Sequence, residues 1–325
     1  MRTFRVIALL LLFTARLPAA TWSESFATSP FAGGWTAYGS TNLFQWAATN
    51  ANLAVTWDSS QTNSFLFHPL GTILTKSDDF GFAFELTLAD IAIGVNSNKP
   101  YTFELAAGFV NQAVATNANY RRGVVAAGTG ARNLCEFDYF PDSGYGATIS
   151  PTMISTNSTF SQFISGFSFP LELDTGAVFT VSMNYTAADK TLRTIVTRNG
   201  EPFGPVDDVI LPSGFKDFRL DQFAIASYSD LGADGSLLAH GTVDNVVVTV
   251  PPPPVKNLSG LFTNQVWRAG FVSRSNWVYT LERSADFRTW TNACLPTAGN
   301  ATNLFLEDLQ PPAGGAFYRV KGERP

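Results

Sequence analysis

Two acidic residues two positions apart, Glu136 and Asp138, lie in the run Leu134-Cys135-Glu136-Phe137-Asp138-Tyr139-Phe140-Pro141, and a third, Asp142, follows directly. Side chains alternate along an extended chain, so Glu136, Asp138 and Phe140 share one face while Cys135, Phe137 and Tyr139 take the other. The two carboxylates then stand side by side, their Cα atoms roughly 7 Å apart. Pro141 ends the ladder, and Asp142-Ser143-Gly144 is turn chemistry that can fold the third carboxylate back towards the first two. Three such groups repel one another unless a cation or protons compensate. A hard cation held by oxygen ligands is one answer, and paired acid/base chemistry is another. A solvated strand end with a turn-forming Asp is the reading without function. Tyr145, flanked by Gly144 and Gly146, is the aromatic residue best placed to meet a ligand in a loop, with Phe140 beside it.

Other residue types offer less. His68 precedes Pro69 and His240 precedes Gly241, and neither has a nucleophile elbow nearby, so structural roles are expected. No phosphate-cradling glycine loop and no Cys/His cluster appears, which leaves nucleotide chemistry and zinc unsupported. Cys135 and Cys294 are too few and too far apart for a disulfide framework. They are either one bridge between domains or two small hydrophobes, Cys135 on the core face of its strand. Trp35, Trp46, Trp57, Tyr38 and Tyr139 could stack on sugar rings, but aromatic residues in a β protein belong mostly to its core.

The elements that must hold these residues are strands. Phe80, Phe82, Phe84, Leu86 and Leu88 fall on one face, as do Tyr101, Phe103, Leu105, Ala107 and Phe109, and again Phe179, Val181, Met183 and Tyr185. Further strands are expected at 52–57, 64–67, 123–127, 192–198, 223–227 and 243–250, with hairpin loops and turns at 96–100, 187–190 and 199–200. No long segment has helical period. About a dozen strands at this spacing predict an all-β domain, an antiparallel two-sheet jelly-roll sandwich over residues 21–250. The prolines of 251–255 break the pattern and predict a stiff linker. Residues 256–325, with alternation at 278–284 and a closing Phe317-Tyr318-Arg319-Val320, predict a small second β-sandwich of Ig or fibronectin type.

The first twenty residues read as a signal peptide. Arg2 and Arg5 precede an apolar run too short to cross a bilayer, and Pro18-Ala19-Ala20 supplies small residues near a cleavage point. No later stretch is long and apolar enough to be a transmembrane helix. Losing the signal removes Arg2, Arg5 and Arg16 and no acid, which moves the formal charge from -5 to -8. A chain that acidic, without a basic run, does not suit nucleic acid or anionic lipid. Abundant Phe with few charges predicts a large core under a surface of Ser, Thr, Asn and Gly, and a secreted or surface location follows.

The segment from Trp35 to Trp57, Asp78-Asp79-Phe80, Glu136-Phe137-Asp138 and Val243-Asp244-Asn245-Val246-Val247-Val248 resembles the concanavalin A-like lectin/glucanase superfamily in its exported bacterial version. The tail resembles a C-terminal module of secreted proteins from the same bacteria. Within the superfamily, legume-type lectins carry a Glu-x-Asp-x-aromatic-Pro-Asn strand and loop that binds metal. That resemblance implies a metal set of Glu136, Asp138, the Phe140 carbonyl and Asp142, with Phe140 near the sugar; Asp142 and Tyr145 of the same loop complete the expected ligand-binding set. The Asp and His that complete a second metal site in those lectins are missing from residues 143–156, so the implied ion is Ca²⁺ alone. Laminarinase-type glucanases carry Glu-x-Asp-x-Glu instead. Glu136 and Asp138 match its first two places, but the acid's place falls on Phe140 or Pro141, neither of which can give a proton. The resemblance therefore implies a secreted, lectin-like protein whose partner is an extracellular polysaccharide. A glycoside hydrolase using Glu136 and Asp138 with an atypical acid, and an adhesive surface protein without a small ligand, stay open as alternatives.

Overall fold

The structure, a computed structural model, describes residues 19–96, 98, 101–122, 130–157, 162–230 and 234–324. The expected strand at 123–127, most of the signal segment and part of the 96–100 loop lie outside the described residues.

Up to Val250 the chain builds two antiparallel sheets. One has nine strands, whose main path runs Glu201–Phe203, Thr191–Arg198, Val178–Thr186, Phe80–Ile93, Leu237–Val250, Asn52–Asp58 and Phe44–Ala47. The other has eight, with the path Phe163–Ser165, Thr152–Ile154, Leu134–Phe140, Leu105–Val110, Leu220–Ser227, Ser64–Leu74 and Thr36–Tyr38. The expected two-sheet sandwich is thus present. Hairpins sit towards the edges of each sheet, while the central pairs, such as Phe80–Ile93 with Leu237–Val250 and Leu105–Val110 with Leu220–Ser227, join distant parts of the sequence, so both sheets depend on long-range pairing.

Alternation decides what lies between the sheets. Phe80, Phe82, Phe84, Leu86 and Leu88 face inward as a row, and Phe179, Val181, Met183 and Tyr185 join them from the next strand. From the opposite sheet come Phe109, Phe137 and Phe223; the Phe84 and Phe137 rings meet edge to face at 5.8 Å. Each fully buried Phe of this kind contributes about 1.5–3 kcal/mol of transfer free energy. The Tyr101 row is shorter than expected: pairing begins at Leu105, and Tyr101 is exposed.

The eight-stranded sheet is covered on its outer side as well. Residues 111–122 cross that face, opening with the one-turn helix Gln112–Ala115, whose N-cap Asn111 accepts a hydrogen bond from the Val114 amide. Ala115 and Tyr120 from this segment pack with Ala131 onto Phe65, Phe67, Ala106, Leu134, Ile154 and Tyr228. Leu134–Phe140 is buried on both faces as a result, although its outward residues include two acids.

After the prolines, Lys256–Thr263, Val266–Val272 and Asn303–Asp308 form a three-stranded sheet. Val278–Ser284 pairs with Phe317–Glu323, Thr291–Asn292 and Thr297–Ala298 in a second small sheet. These strands share their own core of Ala269, Phe271, Trp277, Tyr279, Leu281 and Leu306. They meet the large sandwich at Asp78, whose carboxylate accepts hydrogen bonds from Arg274 at 2.8 Å and Arg324 at 2.6 Å. Both cysteines are free thiols, so no bridge joins Cys135 to Cys294.

Candidate functional site

Glu136 and Asp138 do share a face, as alternation requires, but that face is not open to solvent. Glu136 is 1 % exposed and Asp138 is fully buried. The expectation of outward-facing acids is corrected by the segment that crosses the sheet. From its end, Arg122 reaches down between the acids, its Nε 2.6 Å from Glu136 Oε1 and its Nη2 2.5 Å from Asp138 Oδ2. A third carboxylate arrives from the neighbouring strand's entry, where Glu104 Oε1 lies 2.9 Å from Arg122 Nε. Ligand atoms of Glu104, Glu136 and Asp138 all fall within 4.8 Å of one another.

Local structure explains the convergence. Across the ladder, Glu136 pairs with Gly108 on one side and Thr152 on the other. A Cβ on Gly108 would stand 2.4 Å from the Cys135 carbonyl oxygen and 2.4 Å from Glu136 Cα, so only glycine lets the strands approach beside the acid. Tyr228, directly after the strand Leu220–Ser227, donates its hydroxyl to Glu136 Oε2 at 2.7 Å. Both Glu136 oxygens are thereby satisfied. The Arg122 guanidinium is held further by the Phe163 and Tyr228 rings, each centred 5.7 Å away.

One cation faces three acids. Burial works against the Arg122 charge, but the Asp138, Glu104 and Glu136 carboxylates outweigh it and raise its pKa further. Burial pushes the Glu104 carboxyl up to about 7, with Arg122 opposing and Glu136 and Asp230 adding to the rise. Burial likewise raises Asp138, against the pull of Arg122. Asp138 Oδ1 and Glu104 Oε1 have no hydrogen-bond partner, and burial shifts both groups towards their neutral forms, which lessens the negative charge that the guanidinium leaves uncompensated.

The set expected to hold Ca²⁺ is not gathered in this way. Asp142 does not join the cluster; its Oδ1 accepts the Gly144 amide at 2.8 Å, and its backbone is bound in both directions to Thr102. Phe140 sits half-buried at the strand end. The residues present therefore do not fit the ion that the resemblance implies: two of its ligands are bound to a guanidinium and a third is part of a turn. Nor can Glu136 act as a glycosidase nucleophile from beneath Tyr228 and Arg122, since retaining hydrolysis needs two carboxyl groups flanking an accessible sugar.

The loop after the strand is different. Ser143 bonds to Gly146 and Thr148, and Gly144 and Gly146 adopt φ of 87° and 100°, a conformation that turns Tyr145 outward. Tyr145 is 70 % exposed and meets two more exposed rings, Phe167 at 5.9 Å and Phe169 at 5.5 Å, which lie 5.5 Å from each other. Tyr101 lies against Gly144, its ring filling the space a Cβ would take. Phe167 and Phe169 were not singled out in the sequence; in Phe167-Ser168-Phe169 they have the spacing of core residues.

Most of the remaining aromatic candidates are packing. Trp35 and Trp57 are buried, Trp46 donates to the Phe26 carbonyl, and the Tyr139 hydroxyl accepts the Leu173 amide. Tyr38 is partly exposed, with its hydroxyl bonded to the Thr116 carbonyl. His68 lies between Trp22 and Trp35, at 4.2 Å and 5.2 Å, while His240 faces Asp90 at 2.7 Å.

No family model matches the chain, and no curated protein matches it. Among solved structures it is similar to peanut lectin with a 9mer peptide, at 15 % identity and a TM-score of 0.47 over 72 % of this chain and 99 % of that one. The carbohydrate recognition domain of Emp47p aligns at 11 % identity and 0.43, covering 71 % and 95 %. A legume lectin-like domain from Entamoeba histolytica gives 10 % and 0.42, covering 69 % and 94 %. The sandwich itself stands on the strand pairing described above.

Proposed function

We propose that the chain is a secreted carbohydrate-binding protein that meets an extracellular glycan at Tyr145, Phe167 and Phe169, with Asp142 alongside. The observation that supports this most is the cluster of three exposed rings in mutual contact beside a carboxylate. Exposed apolar groups that cluster mark interaction surfaces, and aromatic faces suit the C–H faces of a pyranose. Asp142 spends Oδ1 on its own turn, which leaves Oδ2 to accept a sugar hydroxyl. The peanut and Emp47p structures are named for lectin and carbohydrate-recognition roles, in keeping with this reading. Residues 256–325, with a core of their own, serve as a spacer or attachment unit. Hydrolysis is disfavoured by the sealed position of Glu136.

A glycan array on the full chain, followed by titration of the best ligand, tests the proposal. Tyr145→Ala and Phe169→Ala should each weaken binding about tenfold, equivalent to about 1.4 kcal/mol. An array without signal, or variants that bind like the wild type, would remove the platform as a sugar site. Silence combined with self-association would favour the adhesive alternative.

A further inference from the structure

We infer that Arg122 is the resident cation of the Glu104–Glu136–Asp138 cluster, standing where the resemblance implies a divalent ion, so that the chain folds and presents its aromatic platform without Ca²⁺. The inference goes beyond glycan binding and does not depend on it.

The geometry carries it in three steps. First, the oxygens a metal would use are taken. Glu136 Oε1 and Asp138 Oδ2 accept from the guanidinium and Glu136 Oε2 accepts from Tyr228. Asp138 Oδ1 and Glu104 Oε1 carry no hydrogen bond, and Glu104 Oε1 is itself 2.9 Å from Arg122 Nε. Ca²⁺ takes about six to eight oxygens, more than Glu104 and the one remaining Asp138 oxygen can supply.

Second, the guanidinium cannot step aside cheaply. The Arg122 side chain is 2 % exposed and wedged between Phe163 and Tyr228. A metal that displaced it would leave a buried, unpaired positive charge next to its own. Third, the carboxylate that would complete a lectin-type set, Asp142, is held in its turn by Gly144 and tied to Thr102. Guanidinium and carboxylate match in planar, forked geometry, so the replacement also fixes direction, which a spherical ion does not.

The test uses the full chain, stripped with chelator and then titrated with Ca²⁺ to millimolar levels, read by calorimetry and thermal unfolding. No binding heat and an unchanged Tm are expected. Heat with a stoichiometry near one, or a Tm that rises with Ca²⁺ and falls with chelator, overturns the inference, because a ligand that binds the native state must raise its stability. In chelator, Arg122→Met should lower Tm, and Arg122→Met with Glu136→Gln should recover part of the loss by removing the charge left without a partner. An unchanged Tm for the single variant, or a double variant no better than the single, counts against a cation role. If Arg122→Met does not fold, the wild-type titration decides.

Discussion

Replacing Glu104 by Gln should flatten the protein's stability between mildly acidic and mildly alkaline pH. Burial, opposed by Arg122 and reinforced by Glu136 and Asp230, raises this carboxyl from 4.5 to about 7 in the folded chain. The native state therefore keeps a proton that the unfolded chain releases. The contribution is full below the unfolded value and is lost as pH rises through the folded one, at about 1.4 kcal/mol per pH unit in the window between them. Across the window from 4.5 to about 7 the loss comes to about 3 kcal/mol. Glu104→Gln keeps the shape and cannot ionise, so its stability relative to the wild type should grow by about that amount from about pH 5 to about pH 8. Asp138 is raised in the same direction, and subtracting one curve from the other separates the Glu104 part. Urea unfolding followed by tryptophan fluorescence at closely spaced pH values gives both curves. A difference that stays level across the range would refute the buried, protonated carboxyl.

Three further outcomes follow from packing. Gly108→Ala places a methyl group 2.4 Å from the Cys135 carbonyl oxygen; a loss of about 1–3 kcal/mol or more is expected in denaturant unfolding, and a neutral result would mean the strands are not so close. Asp78→Ala removes the shared partner of Arg274 and Arg324 and leaves two largely buried guanidinium groups unpaired. It should cost about 3–5 kcal/mol by the same measurement, and a loss below about 1 kcal/mol would contradict the contact. In native protein a maleimide reagent should reach Cys294 before the fully buried Cys135, which should label only on unfolding; equal rates would contradict the burial.

The sandwich was legible because burial imposes period two on strands. Phe80 through Leu88 and Cys135-Phe137-Tyr139 fall on the inner faces that alternation assigned to them. The same rule placed Glu136 and Asp138 together correctly but could not say what covered them. Their counter-charge comes from Arg122, which lies in a stretch with no periodic signal and to which the sequence alone assigns no role. One clue was present: in the row expected from Tyr101 to Phe109, Glu104 and Gly108 share the parity opposite to Phe103, Leu105 and Ala107, a carboxylate and a gap on the non-core side. Phe167 and Phe169 were missed for the converse reason, since hydrophobic residues two apart look like core whether or not a second sheet lies above them.

The contact at Asp78 bears on how load would travel through the molecule. Arg324 ties one end of the chain to the Asp78 side chain and the Ile73 carbonyl, while Arg274 holds the same carboxylate from the loop after Val266–Val272. A pull on residue 324 against a held sandwich is thus carried into it through side-chain bonds as well as through the prolines. The tether has two routes in parallel, and the backbone route takes the whole tension only after the arginines let go.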